Sequence, residues 1–261
     1  MKISQLFRTV AIVFFTADCA RAGFVATFDG ALTNGGAANF ANQDAWTISD
    51  PTVDLSFIEI GSAFGTPGKA VGLGGFYAEP TGATVRLSTV VSETLAGSRF
   101  SADFALINRY AGDPGNFFPE NDRFGFALSD SSGDLLNIDF NATSEENIRQ
   151  VSVNGTLLTP NGITASDYNT PLWYSLGINF TANGSNLDYS LTLAGGSITY
   201  LGTLSGKAAA TLSGIGIDYD VTGASAGSNF LVVDNISIPE PAVGLTSLLA
   251  LGVLAVRRRR P

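Results

Sequence analysis

The sequence predicts an all-β protein, a two-sheet antiparallel β-sandwich, and three features carry that expectation. Apolar residues alternate with polar or small ones along many short runs. Turn-forming dipeptides separate those runs at intervals of roughly 8–12 residues. Between Gly23 and Ile238 no segment keeps a long helical period, and no repeat of fixed length suggests a solenoid or propeller.

In chain order, the strand-like runs are Phe24–Asp29, Val53–Ile60, Ala70–Tyr77, Thr84–Val91 and Ser98–Asn108. Phe124, Phe126 and Leu128 then alternate with Gly125 and Ala127, and Leu135–Phe140 follows. Next come Leu172–Phe180, the alternating run Leu187, Tyr189, Leu191 and Leu193, and Ile198–Leu204. Ile215, Ile217 and Tyr219 alternate with Gly216, Asp218 and Asp220 before the closing run Phe230–Ile238. A period of two places each apolar set on one face of a sheet. Asp130-Ser131-Ser132-Gly133, Asn154-Gly155, Asn161-Gly162, Asn183-Gly184 and Gly195-Gly196 supply the turns, because Gly and Asn tolerate the positive φ of tight hairpins. Trp46 and Trp173 lie in strand-like surroundings and are expected in the core.

The ends differ from the middle. Residues 1–22 have Lys2 and Arg8 ahead of the short apolar run Val10–Phe15, then Ala20-Arg21-Ala22. This is the layout of a signal peptide cut after Ala22 by signal peptidase. Cys19, the only cysteine, would leave with it, and Asp18 argues against a lipoprotein anchor there. Residues 23–238 form the sandwich domain, long enough for one sizeable core and held without any disulfide. That domain has 21 carboxylates against seven basic residues. Such a surface repels phosphate backbones and excludes nucleic acid as a partner.

Residues 239–261 are Pro239-Glu240-Pro241, fifteen uncharged and mostly apolar residues from Ala242 to Val256, Arg257-Arg258-Arg259-Arg260 and Pro261. As a helix the apolar segment is about 22 Å long, short for a hydrocarbon core of about 30 Å. The arginines would stay on the cytoplasmic side of the inner membrane. The two prolines keep the tripeptide extended and end the last strand.

Tripeptide, short transmembrane helix and arginine cluster, in that order at the extreme C-terminus, resemble the PEP-CTERM sorting tail. The resemblance implies recognition by an exosortase, a membrane-embedded protease, with cleavage near Pro239-Glu240-Pro241. It implies delivery to the cell surface or an extracellular matrix rich in exopolysaccharide, in a Gram-negative, biofilm-forming bacterium. A permanent single-span anchor is the alternative. The Leu-Pro-x-Thr-Gly motif of a sortase signal is absent. In the middle, Arg123–Leu128 with its hairpin to Leu135–Phe140, Trp173-Tyr174-Ser175-Leu176 before Leu187–Leu193, and Val232–Ile238 resemble the concanavalin A-like jelly roll.

Chemistry is constrained by the absence of histidine, which removes Ser-His-Asp and Cys-His catalysis and imidazole metal sites. Gly223-Ala224-Ser225-Ala226-Gly227 matches G-x-S-x-G in letters, but no histidine serves it and it reads as a turn. The Glu-x-Asp-x-x-Glu strand motif of jelly-roll glucanases is missing, and adjacent Glu145 and Glu146 would face opposite sides of a strand. The expectation is therefore a non-enzymatic structural or glycan-binding protein, with a glycan-active enzyme of the same fold as the rival. One loop stands out, from Tyr110 to Asp122. Asp113, Asn116, Glu120 and Asp122 are hard oxygen ligands of the kind calcium takes, with an ordinary polar loop as the alternative. Phe117 and Phe118 in the same loop are the candidate platform for a sugar ring, or a plug over the sandwich end.

Overall fold

A computed structural model of the chain describes residues 23–26, 46–49, 59–60, 70–74, 84–108, 123–142, 148–158, 162–166, 171–194, 198–220 and 229–239. These form two eight-stranded sheets. The first runs, in spatial order, β14 (Ile198–Leu204), β13 (Asn186–Ala194), β12 (Tyr174–Asn183), β6 (Arg99–Asn108), β16 (Asn229–Ile238), β4 (Ala70–Gly74) and β3 (Glu59–Ile60). β1 (Phe24–Ala26) also pairs with β16. The second sheet runs β10 (Thr156–Leu157), β9 (Ile148–Val153), β8 (Gly133–Ala142), β7 (Arg123–Asp130), β15 (Thr211–Asp220), β5 (Thr84–Thr94) and β2 (Thr47–Ile48), with β11 (Ile163–Thr164) on β9. Among the described residues every pairing between these strands is antiparallel, and one isolated parallel bridge joins Ile107 and Ser166. The expected two-sheet sandwich is what forms, and among the described residues no helix is long and apolar enough to cross a membrane.

The period-two pattern determines which side chains meet. Phe100 and Phe104 from β6 face Phe126 of β7 and Phe140 of β8 across the sandwich, all fully buried. Phe104 stacks on Phe140 at 4.8 Å and on Tyr174 at 5.6 Å, and meets Phe126 edge-on at 5.7 Å. One ring thus ties β12 of its own sheet to two strands of the other. Trp46 is fully buried beside Phe24, as expected, whereas Trp173 is only half-buried just before β12.

The turns follow their residues. Asn154 (φ 48°) and Gly155 (φ 74°) make the tight β9–β10 hairpin, both in the left-handed region such a turn requires. Residues 162–166 pass from one sheet to the other. Ile163 pairs with Arg149 in the second sheet, and Ser166 donates its N–H to the Leu106 carbonyl in the first at 2.8 Å. The Tyr174 hydroxyl clips this crossing, accepting from the Thr164 N–H at 3.0 Å and donating to the Thr164 carbonyl at 3.2 Å.

At the other end, Lys207 in the β14–β15 connection donates to Asp130 at 2.6 Å and to Ser132 at 2.9 Å. Led by Lys207 and then Ser132, these bonds hold the Asp130 carboxyl down at about 2, below its ordinary 3.8.

Two outcomes test this packing. Replacing Phe104 by Ala removes the ring shared by both sheets, and chemical denaturation should show a loss of about 3–5 kcal/mol. Asp130 has a depressed folded pKa, so its contribution is present above its unfolded pKa and is lost as pH falls through the folded one. The stability difference between the wild-type protein and Asp130→Asn should therefore be flat above about pH 5 and shrink between about pH 4 and 2 in acid-denaturation curves.

Candidate functional site

The residues facing away from the core on the second sheet form an ordered polar strip. Register fixes one row across five strands: Arg86 on β5, Asp218 on β15, Gly125 on β7, Asp139 on β8 and Ser152 on β9. A neighbouring row has Ser88, Gly216, Ala127 and Asn137, and on the other side Asp220 is opposite Arg123. Four inter-strand spacings make the strip roughly 19 Å wide.

Arg86 lies along the sheet rather than out from it. Its Nε donates to Asp218 at 2.6 Å, and its terminal nitrogens reach Asp218 at 2.7 Å and both oxygens of Asp134 at 2.9 Å. Gly216 makes this possible. A Cβ there would sit 3.0 Å from Arg86 Cδ and 3.3 Å from the Ala127 Cβ, so the arginine stem uses the space that a side chain would fill. The Asp218 hydrogen bond raises the Arg86 pKa further above its already high value, and Arg86 in turn lowers that of Asp134. Arg123 bridges Asp139 at 2.9 Å and Asp220 at 3.2 Å.

Asp139 behaves differently. Burial pushes its carboxyl up and the Asp218 charge adds to that, while Arg123 and Ser152 pull it back. The two carboxylates flank Gly125, whose missing side chain is again needed: a Cβ would stand 2.7 Å from the Ile138 carbonyl and 3.1 Å from Asp139 Oδ1. Asp218, Asp139 and Ser152 in this row are buried, as is Ala127, so the groups the strip presents to solvent are the Arg86 and Arg123 guanidiniums, each a third exposed and held in place by those carboxylates. Hydroxyl-rich ligands are met by such groups, because charge-assisted hydrogen bonds are short and directional.

A second polar cluster sits on the outer face of the first sheet. Ser175 donates to Asp103 at 2.6 Å, and the Asn235 amide reaches Asp103 at 3.1 Å and Asp234 at 3.3 Å. Among the described residues no three or more His, Cys, Asp or Glu converge as a metal site. A pocket of about 430 Å³, lined by Asp130, Lys207 and residues 209–213, opens at the β7–β8 end.

Ala20 and Ala22, the loop residues Asp113, Asn116, Phe117, Phe118, Glu120 and Asp122, and the tail residues Glu240, Pro241 and Arg257–Arg260 are outside the described residues. Pro239 is described, exposed directly after β16. The strands bracketing the loop end at Asn108 and begin at Arg123, so the loop is continuous in sequence with one strip residue. Arg86, Arg123, Asp139 and Asp218 were not anticipated as a site. Their signal in the sequence is only the alternation that puts each on the polar side of its strand.

No protein family matches the chain, and no curated protein does. Similar solved structures include the carbohydrate recognition domain of Emp47p, 6% identical with a TM-score of 0.48, covering 76% of this chain and 89% of that one. Lectin II from Ulex europaeus is 12% identical with a TM-score of 0.41, covering 84% and 98%. The alginate lyase from Klebsiella pneumoniae is 6% identical with a TM-score of 0.39, covering 68% and 83%.

Proposed function

We propose that the chain is an exported, non-enzymatic surface or matrix protein whose sandwich binds glycan along the polar strip of its second sheet. The observation that carries the binding reading is the glycine-floored row from Arg86 to Ser152, in which every charged group is already fixed by a neighbour. A pre-ordered surface loses less side-chain freedom when a polar ligand settles on it. Calcium held by Asp113, Asn116, Glu120 and Asp122, with Phe117 and Phe118 against a sugar ring, belongs to the same proposal.

Location is the other half. Export through residues 1–22, transient residence in the inner membrane and exosortase sorting through residues 239–261 rest on the sequence of the two ends. Exopolysaccharide is the partner that such a destination makes available.

The specific observation for an enzyme is the Asp139–Asp218 pair on either side of Gly125, one carboxyl raised by burial. Glycoside hydrolysis uses two carboxyl groups about 5–10 Å apart. Against it, both Asp218 oxygens accept from Arg86, and Asp139 is held by Arg123. Binding is the reading adopted.

Two measurements test these halves separately. Intact mass of protein recovered from the extracellular matrix should show loss of residues 1–22 and of most of 242–261. A recovered species that keeps Arg257–Arg260 would replace sorting by permanent anchorage. Arg123→Ala frees two carboxylates on the strip and should weaken retention on the native exopolysaccharide about tenfold in affinity electrophoresis. Unchanged retention would remove the strip as the binding surface, and loss of a hydrolytic activity on Asp139→Asn would favour the enzyme.

A further inference from the structure

Sheet edges expose unpaired backbone donors and acceptors, and folds commonly blunt them with very short strands, charges or proline. Among the described residues, this sandwich does so at three of its four edges. β3 and β2 end their sheets with two residues each, and β9 is covered by the two-residue strands β10 and β11.

The fourth edge is β14. It is seven residues long, Ile198-Thr199-Tyr200-Leu201-Gly202-Thr203-Leu204, with no charge and no proline, and its one partner among the described residues is β13. Leu201, at its centre, is 72% exposed.

We propose that β14 is a dimerisation edge, pairing antiparallel with β14 of a second copy about a two-fold axis through Leu201. The strand is complementary to itself in that register. Leu201 meets Leu201 of the second copy, Thr199 meets Thr203, and Ile198 meets Leu204. Thr–Thr and aliphatic pairs of this kind stabilise antiparallel neighbours, and no like charges face each other.

The remaining pair sets Tyr200 opposite Gly202. Gly202 is already roofed by the Tyr189 ring of β13, which lies 2.3 Å from where a Cβ would stand. Tyr200 and Tyr189 sit 6.1 Å apart within one chain. Across the two-fold, Tyr200 of each copy comes beside Tyr189 of the other, giving the open inner side of the edge an aromatic cover. An isologous contact of this kind uses the whole edge and closes, so the assembly stops at two. On the second sheet β5 runs past its pairing with β2 only as Val90–Thr94, a shorter stretch that carries the charge of Glu93.

The test is sedimentation equilibrium on the full-length chain in mild detergent, across a wide concentration range. The expected result is a reversible monomer–dimer equilibrium. Leu201→Lys places two ammonium groups opposite each other and should raise the dissociation constant at least about tenfold. Its circular dichroism and melting temperature should stay as in the wild-type protein. Val90→Lys, at a site 83% exposed on the other sheet, should leave dimerisation unchanged.

In a Cys19→Ser background, Leu201→Cys should form an intermolecular disulfide and Val90→Cys should not, because Cα atoms paired across antiparallel strands are about 4.5–5.5 Å apart. A monomer at every concentration, a dimer insensitive to Leu201→Lys, open-ended oligomers, or no Leu201→Cys cross-link would each overturn the proposal. None of these outcomes depends on whether the strip binds glycan.

Discussion

Phe104 occupies the position on which the two sheets depend. The sandwich domain has no cysteine, so no disulfide ties the two eight-stranded sheets and burial is what chiefly holds them together. Aromatic rings suit this task, since each buries a large area and ring pairs add about 0.5–1.5 kcal/mol beyond it. By touching Phe126 and Phe140 of one sheet and Tyr174 of its own, Phe104 couples three strands to β6 through one side chain. Strand register then has little freedom. A slip of one residue would turn every core ring on that strand outward.

The same constraint writes the outer surface. Phe124, Phe126 and Leu128 point into the core, so Gly125 and Ala127 must lie on the sheet's other face; Ile217 and Tyr219 point in, so Asp218 and Asp220 share that other face, where Ala127 and Asp218 are nonetheless buried. The polar strip is the reverse side of the core. Its ion pairs contribute modestly to stability, because the side chains of Arg86 and Arg123 are each a third exposed and solvent screens them; exposed pairs typically contribute about 0.2–1 kcal/mol. Their larger effect is geometric. Arg86 is laid flat over Gly216 by two carboxylates, and Asp139 is held against Arg123 although burial pushes its pKa up.

Alternation made most of the fold legible. β14 has the bounds that the sequence suggests, the Asp130–Gly133 and Asn183-Gly184 turns join the strands they were expected to join, and Asn154-Gly155 is a turn as expected, between two strands the sequence did not show. β9 was not legible, because buried Arg149 shares the inward parity of Val151 and Val153 and breaks the apolar rhythm. The two-residue strands β2, β10 and β11 are too short to show a period at all. The site was half legible: the face of each residue follows from its own strand, but the meeting of Arg86 with Asp218, 132 positions away, follows only from strand order. Nothing local encodes that β15 lies between β5 and β7.

Strand order also brings the domain's two ends together. β16 has two partners on one side: Phe230–Val233 pair with β4, and Ile236–Ile238 pair with β1. The changeover falls at Asp234-Asn235, where the register against β6 shifts and Asn235 adopts φ 52°. A bulge re-aims a strand, and here it lets β16 leave one neighbour and meet the next. The result sets Phe24 directly opposite Ile238. In the proposed processing, the cut after Ala22 and the Pro239-Glu240-Pro241 motif would therefore flank the same strand pair. The chain would hang from the membrane at this corner. Since β1 is only three residues long, its pairing is the part of the sheet that release from the signal segment would affect most. The strip belongs to the opposite sheet and the Phe104 seam to the interior, so neither depends on that corner being free.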